Sequence, residues 1–378
     1  PPRSTLFPYT TLFRSGSTSF TIAAGGQKTL FPLEGASDGF NGSVVVSSSA
    51  EVQAIANVLG NGGAYGASYG GFTAGAETAY VPLLMKANSG YNTWFNVQNT
   101  GSAATTVTIT YSDGVTASCA NLQPGAACTL DQSTEAHASK WVGSAIVTAS
   151  AGGSIAVAVM EVGPTTLFGY SGFTGGSQNI AIPLVNANNS GYGTGIQIQN
   201  LGTEATNVTL SYTPSSAGTA CTETRTIAVG KSETFALNAF TSGGSCGAQK
   251  FIGSARVAAN STGQDLVAIV NQLNGTANKG AAYEAFDPEK ATDTVVMPLV
   301  MDRNSNYYTG ISVLNVGSST VTVNCTFAST THVESKSLAP GQALTAVQGG
   351  VIGDRYVGSA TDRKSTRLNS SHASPPRM

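Results

Sequence analysis

Three blocks of this 378-residue chain are versions of one another: YVPLLMKANSGYNTWFNVQNTG from Tyr80, AIPLVNANNSGYGTGIQIQNLG from Ala181 and VMPLVMDRNSNYYTGISVLNVG from Val296. No other feature limits the possible folds as strongly, because a recurring unit must bury its own core or share one with its neighbours. Read from Pro82, Pro183 and Pro298, the spacing is 101 and then 115 residues. A second signature follows each block, WVGSA from Trp141, FIGSA from Phe251 and YVGSA from Tyr356. FNGSVVV from Phe40 is a further copy that lacks its preceding half. Units close on Tyr69–Phe72, Tyr170–Phe173 and Tyr283–Phe286. The expected organisation is the last part of one unit over residues 16–72, whole units over 73–173 and 174–286, and a truncated unit over 287–361. Such a chain is a window on a longer tandem array.

The two ends stand apart from this pattern. Pro1–Ser15 (PPRSTLFPYTTLFRS) reads as the in-frame translation of a sequencing adapter, with TAC ACG ACG CTC TTC CGA TCT giving Tyr9 to Ser15. Asp362–His372 (DRKSTRLNSSH) reads as the adapter of the opposite read, and the whole of 362–378 is expected to share that origin. Such scars are set aside before fold reasoning. They carry Arg3, Arg14, Arg363, Lys364, Arg367 and Arg377 against Asp362 alone, so removing them takes the formal net charge from −2 to −7.

Within a unit, apolar and polar residues alternate with a period of two, the mark of a half-buried strand. Phe95 and Val97, Ile196 and Ile198, and Ile311 and Val313 are predicted to face inward, with Trp94, Asn96 and Gln98 facing out. Asn-x-Gly, a strong turn former, follows at Asn99, Asn200 and Asn315. A second alternating strand comes next, as Val107, Ile109 and Tyr111, then Val208, Leu210 and Tyr212, then Val321, Val323 and Cys325. Turns at Pro124-Gly125, Val229-Gly230 and Pro340-Gly341 precede two more strands. Helical spacing is absent. Short strands with frequent turns over about 100 residues define an all-β fold, a row of tandem antiparallel β-sandwich repeats.

The run strand, Asn-x-Gly, strand, loop, Pro-Gly, strand, Gly-Ser-Ala resembles the bacterial extracellular Ig-like β-sandwich repeats of the CARDB-like kind, which stand in tandem on surface proteins. The likeness covers residues 16–361. It implies a secreted or surface-anchored module for spacing, adhesion or assembly, with no catalytic residues to transfer.

The cysteines fit that compartment. Cys119 and Cys128 flank the Pro124-Gly125 turn, and Cys221 and Cys246 lie within the next unit. Two intra-unit disulfides are therefore expected, as in proteins that meet an oxidising environment. Cys325 takes the place of Tyr111 and Tyr212 and reads as a small buried hydrophobe.

The most distinctive loops are Asn88-Ser89-Gly90-Tyr91, Asn189-Ser190-Gly191-Tyr192 and Asn304-Ser305-Asn306-Tyr307. An Asn and a Tyr on a turn can hydrogen-bond and stack on a sugar. Equally, the Asn can cap the turn while the Tyr packs on the sandwich edge or the next unit. The structural reading takes precedence, and Asn88, Tyr91, Asn189, Tyr192, Asn304 and Tyr307 remain candidate ligand or inter-repeat contacts.

Other signals are weaker. Gly66–Gly70 matches the G-x-S-x-G nucleophile pattern at Ser68, but a glycine-rich linker with no helix after it does not suit that chemistry. His137 and His332 are read as solvated loop residues, and the acids Asp287, Glu289, Asp293 and Asp302 as solvated charge rather than a calcium site. No Cys/His cluster has zinc spacing. Charged residues are only 10% of the chain and no apolar run reaches membrane-span length, so neither nucleic acid nor a membrane span is expected.

The expected function is a non-catalytic structural or adhesive segment of a secreted or cell-surface bacterial protein, without cofactors. Its partners would be neighbouring repeats, and beyond them surface glycans or cell-surface proteins. The alternative is a carbohydrate-binding array attached to an enzyme outside these residues.

Overall fold

Strands whose Val, Ile, Tyr and Phe alternate with Thr and Asn are two-faced ribbons, and two sheets of them can close over one core. The computed structural model describes residues 16–373 apart from 24–27, 32, 34–35, 37–38 and 305–306. Pro1–Ser15 and residues 374–378, expected to be adapter-derived, lie outside the described residues.

A hairpin of β1 (Ile55–Gly60) and β2 (Tyr65–Gly70) comes first. The next unit comprises β3 (Thr78–Lys86), β4 (Asn92–Asn99), β5 (Thr105–Tyr111), β6 (Thr116–Leu122), β7 (Ala127–Asp131), β8 (Trp141–Ala149), β9 (Ile155–Val162) and β10 (Leu167–Ser171). Then come β11 (Asn179–Ala187), β12 (Tyr192–Asn200), β13 (Thr206–Ala217), β14 (Cys221–Ile227), β15 (Ser232–Phe235), β16 (Phe251–Ala259), β17 (Leu266–Asn274) and β18 (Lys279–Glu284). The last unit has β19 (Thr292–Asp302), β20 (Gly310–Asn315), β21 (Val321–Phe327), β22 (Val333–Leu338), β23 (Ala343–Val347) and β24 (Tyr356–Ala373).

All pairings among these strands are antiparallel. Sheet orders β3-β8-β5-β6 and β10-β9-β4-β7 in one unit recur as β11-β16-β13-β14 and β18-β17-β12-β15 in the next. In the last unit β24 serves both layers, pairing β19 and β21 along its first part and β20 along Leu368–Ala373. It thus runs through the boundary expected at Thr361.

The predicted inward residues form the cores. Phe95, Val97, Ile109, Ile196, Ile198, Leu210, Ile311, Val313 and Val323 are fully buried, as is Cys325. Two segments differ from expectation. FNGSVVV forms no strand and exposes Val44, Val45 and Val46, because no neighbouring strand offers it a ladder. The glycine run read as a linker contains β2, whose backbone pairs residue for residue with β1.

Each Pro-Leu dipeptide of the repeated block lies on an edge strand at a bulge, between Val81 and Leu84, Ile182 and Val185, and Met297 and Val300. Proline belongs there, since it has no N–H to give a ladder. The carbonyls freed by the bulge at Leu83 and Leu184 accept the buried hydroxyls of Tyr170 and Tyr283, each at 2.6 Å. The closing tyrosine of a unit therefore ties its last strand to the opposite sheet. Among the described residues no closing tyrosine reaches Leu299, which is 53% exposed against 8% for Leu83 and 9% for Leu184.

The Asn-x-Gly asparagines are wholly buried and make the same bonds three times. Asn99 Nδ2 donates to the carbonyls of Ala103 and Leu122, Asn200 Nδ2 to those of Glu204 and Ile227, and Asn315 Nδ2 to those of Ser319 and Leu338, all at 2.8–3.0 Å. Each Oδ1 accepts the N–H of the glycine two residues on. The backbone of each asparagine also holds the later glycine turn, with Gly125, Gly230 and Gly341 donating to its carbonyl. Those glycines have φ of 76°, 69° and 79°, the left-handed value that the third residue of a type II turn requires.

Replacing Asn200 with Ala strands buried carbonyls of two segments at once, so Asn200→Ala should destabilise its unit by about 3 kcal/mol. Denaturant unfolding followed by circular dichroism would check this, and a loss below about 0.5 kcal/mol would refute the clamp.

Candidate functional site

The three Asn/Tyr loops are tight hairpin turns. Asn88 and Tyr91 exchange both backbone hydrogen bonds, as do Asn189 with Tyr192 and Asn304 with Tyr307. Between them Ser89 and Gly90 have φ of 52° and 83°, and Ser190 and Gly191 of 50° and 84°. This double positive φ is the type I′ turn that matches strand twist, which explains Gly90 and Gly191. The Asn side chains turn back onto their own hairpin. Asn88 and Asn304 approach the sulfurs of Met85 and Met301, and Asn189 Nδ2 donates to Asn186 Oδ1 at 3.0 Å. Tyr91 is half-buried, stacks on Phe168 with centroids 6.0 Å apart and shares a 2.7 Å hydrogen bond with Thr166 Oγ1. Tyr192 and Tyr307 are half-buried as well. The polar atoms best suited to a sugar are thus largely engaged within the hairpins.

Two disulfides join Cys119 to Cys128 and Cys221 to Cys246, and Cys325 is a buried free thiol. Cys119–Cys128 crosses from β6 to β7 and so links the two layers of its sandwich.

His137 is not solvated. It is buried, stacked on Trp141 with centroids 3.8 Å apart, and edge-on to Tyr111. Its Nδ1 lies 2.7 Å from Asp113 Oδ2 and its Nε2 3.0 Å from Gln132 Oε1. The loop STEAHASK looked polar because two of the partners that bury His137, Tyr111 and Asp113, come from more than 20 residues away, although Gln132 and Trp141 flank the loop itself. His332 is half-buried against Phe327, with Nε2 3.4 Å from Glu334. Ser68 lies inside β2, far from the strand-to-helix turn that a nucleophile elbow needs.

The acids read as solvated charge separate into two roles. Asp302 is fully buried and accepts N–H bonds from Gly350, Ile352 and Gly353 at 2.6–3.0 Å, with Arg303 Nε at 3.1 Å. Burial alone would raise its pKa, but those donors together hold it down at about 2. Asp302 therefore ties its hairpin to the loop before β24. Asp287 caps a short 3-10 turn by accepting the N–H of Glu289, and both line a polar cleft with Asp265. Among the described residues no three His, Cys, Asp or Glu side chains are grouped to hold a metal ion, and no helix is long and apolar enough to cross a membrane.

Sequence reasoning missed the surface between units. The edge strand β3 is met by β12 and β17 of the next unit, β8 by β15, and β10 by β18. At the following junction β11 meets β20 and β24, and β16 meets β23. The equivalent elements dock both times. Polar residues on the outer face of β12 are consumed there: Gln197 and Gln199 are buried, and Gln199 Nε2 donates to Ala145 O across the junction at 3.2 Å. Ile269 of β17 joins the core of the preceding unit, and Asn271 Nδ2 donates to the wholly buried Glu161 Oε2 at 2.6 Å. Desolvation raises the Glu161 pKa to about 8, against which the Asn271 bond pulls only partly, so Glu161 is mainly protonated at neutral pH. A charge on Glu161 in turn disfavours ionisation of Tyr91 and Tyr170, whose pKa values are raised, mainly by their own burial. Only the raised apolar content of β11 and β17 could have signalled this surface, since both read as nearly unbroken hydrophobic runs.

The chain matches no known protein family, no curated protein and no solved structure.

Two measurements test this site. The disulfides close sequence separations of 9 and 25 residues. By loop entropy, Cys119→Ser with Cys128→Ser should cost about 2.5 kcal/mol, and Cys221→Ser with Cys246→Ser about 3.5 kcal/mol, in denaturant midpoints. Because the folded pKa of Glu161 lies above its ordinary 4.5, folding retains a proton that the unfolded chain releases. Stability should then be full below about pH 4.5 and fall as pH rises towards 8. Thermal unfolding across that range should lose this component in Glu161→Gln, and an unaltered profile would contradict the assignment.

Proposed function

We propose that the chain is a non-catalytic structural stretch of a secreted or cell-surface protein, in which stacked sandwiches act as a stalk or scaffold for adhesion or assembly. The observation that carries this reading is the recurrence of one docking arrangement. Equivalent strands meet at successive junctions, and each junction covers an edge strand, β3 or β11, that a free sandwich would leave open. Neighbouring repeats are thus the primary partner. The resemblance to CARDB-like extracellular repeats points the same way. Two disulfides suit an oxidising compartment. The chemistry of the surface agrees, because Ser, Thr and Asn dominate it and charge is sparse. The carbohydrate-binding alternative gains no support from the turns, where Asn88, Asn189 and Tyr91 spend their polar groups within their own units.

Small-angle X-ray scattering of the whole chain should return an elongated, stiff envelope whose length grows with each unit. A collapsed envelope, or one that needs freely jointed units, would overturn the scaffold reading. Specific retention on a glycan array that Tyr91→Ala and Tyr192→Ala abolish would replace it with the carbohydrate reading.

A further inference from the structure

Two sequence signatures of separate units meet at each junction: the serine of Gly-Ser-(Ala/Val) and the glycine of the Asn-clamped turn. We infer that they are the two halves of one inter-repeat joint, in which the serine hydroxyl of each unit donates to the turn-glycine carbonyl of the next. This deepens the scaffold reading and rests on it, since it names the residues by which one repeat recognises its neighbour.

Three junctions carry the same bond. Ser43 Oγ donates to Gly125 O at 2.5 Å, Ser144 Oγ to Gly230 O at 3.0 Å and Ser254 Oγ to Gly341 O at 2.5 Å. The sequence separations are 82, 86 and 87 residues, so each bond spans a junction. Its first occurrence involves FNGSVVV, which forms no strand and yet places its serine on the same acceptor. At the other two junctions the serine is fully buried, so its hydroxyl needs an acceptor. Among the described residues Ser254 has one other acceptor, a longer reach of 3.5 Å to Thr213 O.

The acceptor is preformed by the clamp. In these turns the first residue's carbonyl (Gln123, Ala228 or Ala339) takes the internal bond, which leaves the glycine carbonyl unused by the turn. Asn99, Asn200 and Asn315 fix that turn, so its glycine carbonyl is presented at a constant place. Gln98 Nε2 and Gln199 Nε2 of the same unit also donate to Gly125 O and Gly230 O, at 3.4 and 3.1 Å, and the carbonyl's second lone pair is left for the serine. Glycine suits the contact for a second reason. A Cβ at Gly230 would sit 3.1 Å from Ile146 Cδ1 of the preceding unit, and one at Gly341 would meet Thr213 Oγ1 at 3.3 Å. Small side chains on both partners let strand and turn approach. Around this bond lie apolar contacts, with Ala181 packed against Leu314 and Ala343 at the second full junction, and Arg256 donating to Asn315 O at 3.1 Å. The last unit supplies the control. Ser359 occupies the same place on β24, and none of the described residues accepts from its hydroxyl.

The test compares Ser144→Ala, Ser254→Ala and Ser359→Ala in the whole chain by hydrogen–deuterium exchange. Loss of one buried hydrogen bond should accelerate exchange by roughly fivefold. For Ser144→Ala the acceleration should fall on segments around 142–147 and 228–232, and for Ser254→Ala on those around 252–257 and 339–343. Ser359→Ala should leave exchange unchanged. Wild-type exchange at both junctions in the first two variants would overturn the joint. Equal acceleration in Ser359→Ala would do so too, because the serine would then act within its own strand. Either failure with an elongated scattering envelope would remove the latch and leave the scaffold reading standing.

Discussion

The buried asparagine of Asn-x-Gly is the interaction on which the architecture depends. A single amide closes the loop after β4, β12 or β20, holds the end of the strand that precedes the glycine turn, and through its backbone fixes that turn. A buried amide with its donors and acceptor satisfied adds modest net stability, but leaving those groups unpaired is costly. The penalty for any other arrangement is what makes the geometry repeat. Asn99, Asn200 and Asn315 sit in the same topological place with the same partners, although the loops between the other strands vary in length and sequence.

A sandwich built this way has two weaknesses, open edge strands and polar groups on outer faces, and the stacking of units answers both. β3 and β11 carry a proline and a bulge, which limit edge pairing, and the following unit then covers them. Gln199 and Asn271, which would be solvated in an isolated unit, become bonded across the junction. The arrangement has a cost. Glu161 is buried where its charged form is disfavoured, and single atoms such as Gln199 Oε1 and Asn271 Oδ1 lack a partner. Gln199 and Asn271 lie at a junction, whereas the unpartnered buried atoms of Gln348 and Asp362 lie within the last unit.

Much of this was legible along the chain. Period-two alternation located the core strands because strand side chains point to opposite faces, and Phe95, Ile198 and Val323 followed it. Cysteines placed within single units met as expected. His137 and Asp302 did not follow their local context, because Tyr111 and Asp113 close over the one and the Gly350–Gly353 backbone over the other. Local polarity cannot report partners that arrive from far along the sequence. FNGSVVV failed in the opposite sense, since strand propensity forms no ladder without a neighbour.

The amino-acid sequence by itself determined the repeat, the all-β class, the turn positions and the inward-facing residues, all of which depend on periodicity and on residues close together in the chain. Only the tertiary structure decided what the Gly-Ser serine and the turn glycine do, which faces of one unit the next would cover, and which polar residues would be lost from solvent. Those outcomes depend on pairs more than 80 residues apart. Such pairs acquire a meaning only when two separately closed sandwiches are brought face to edge.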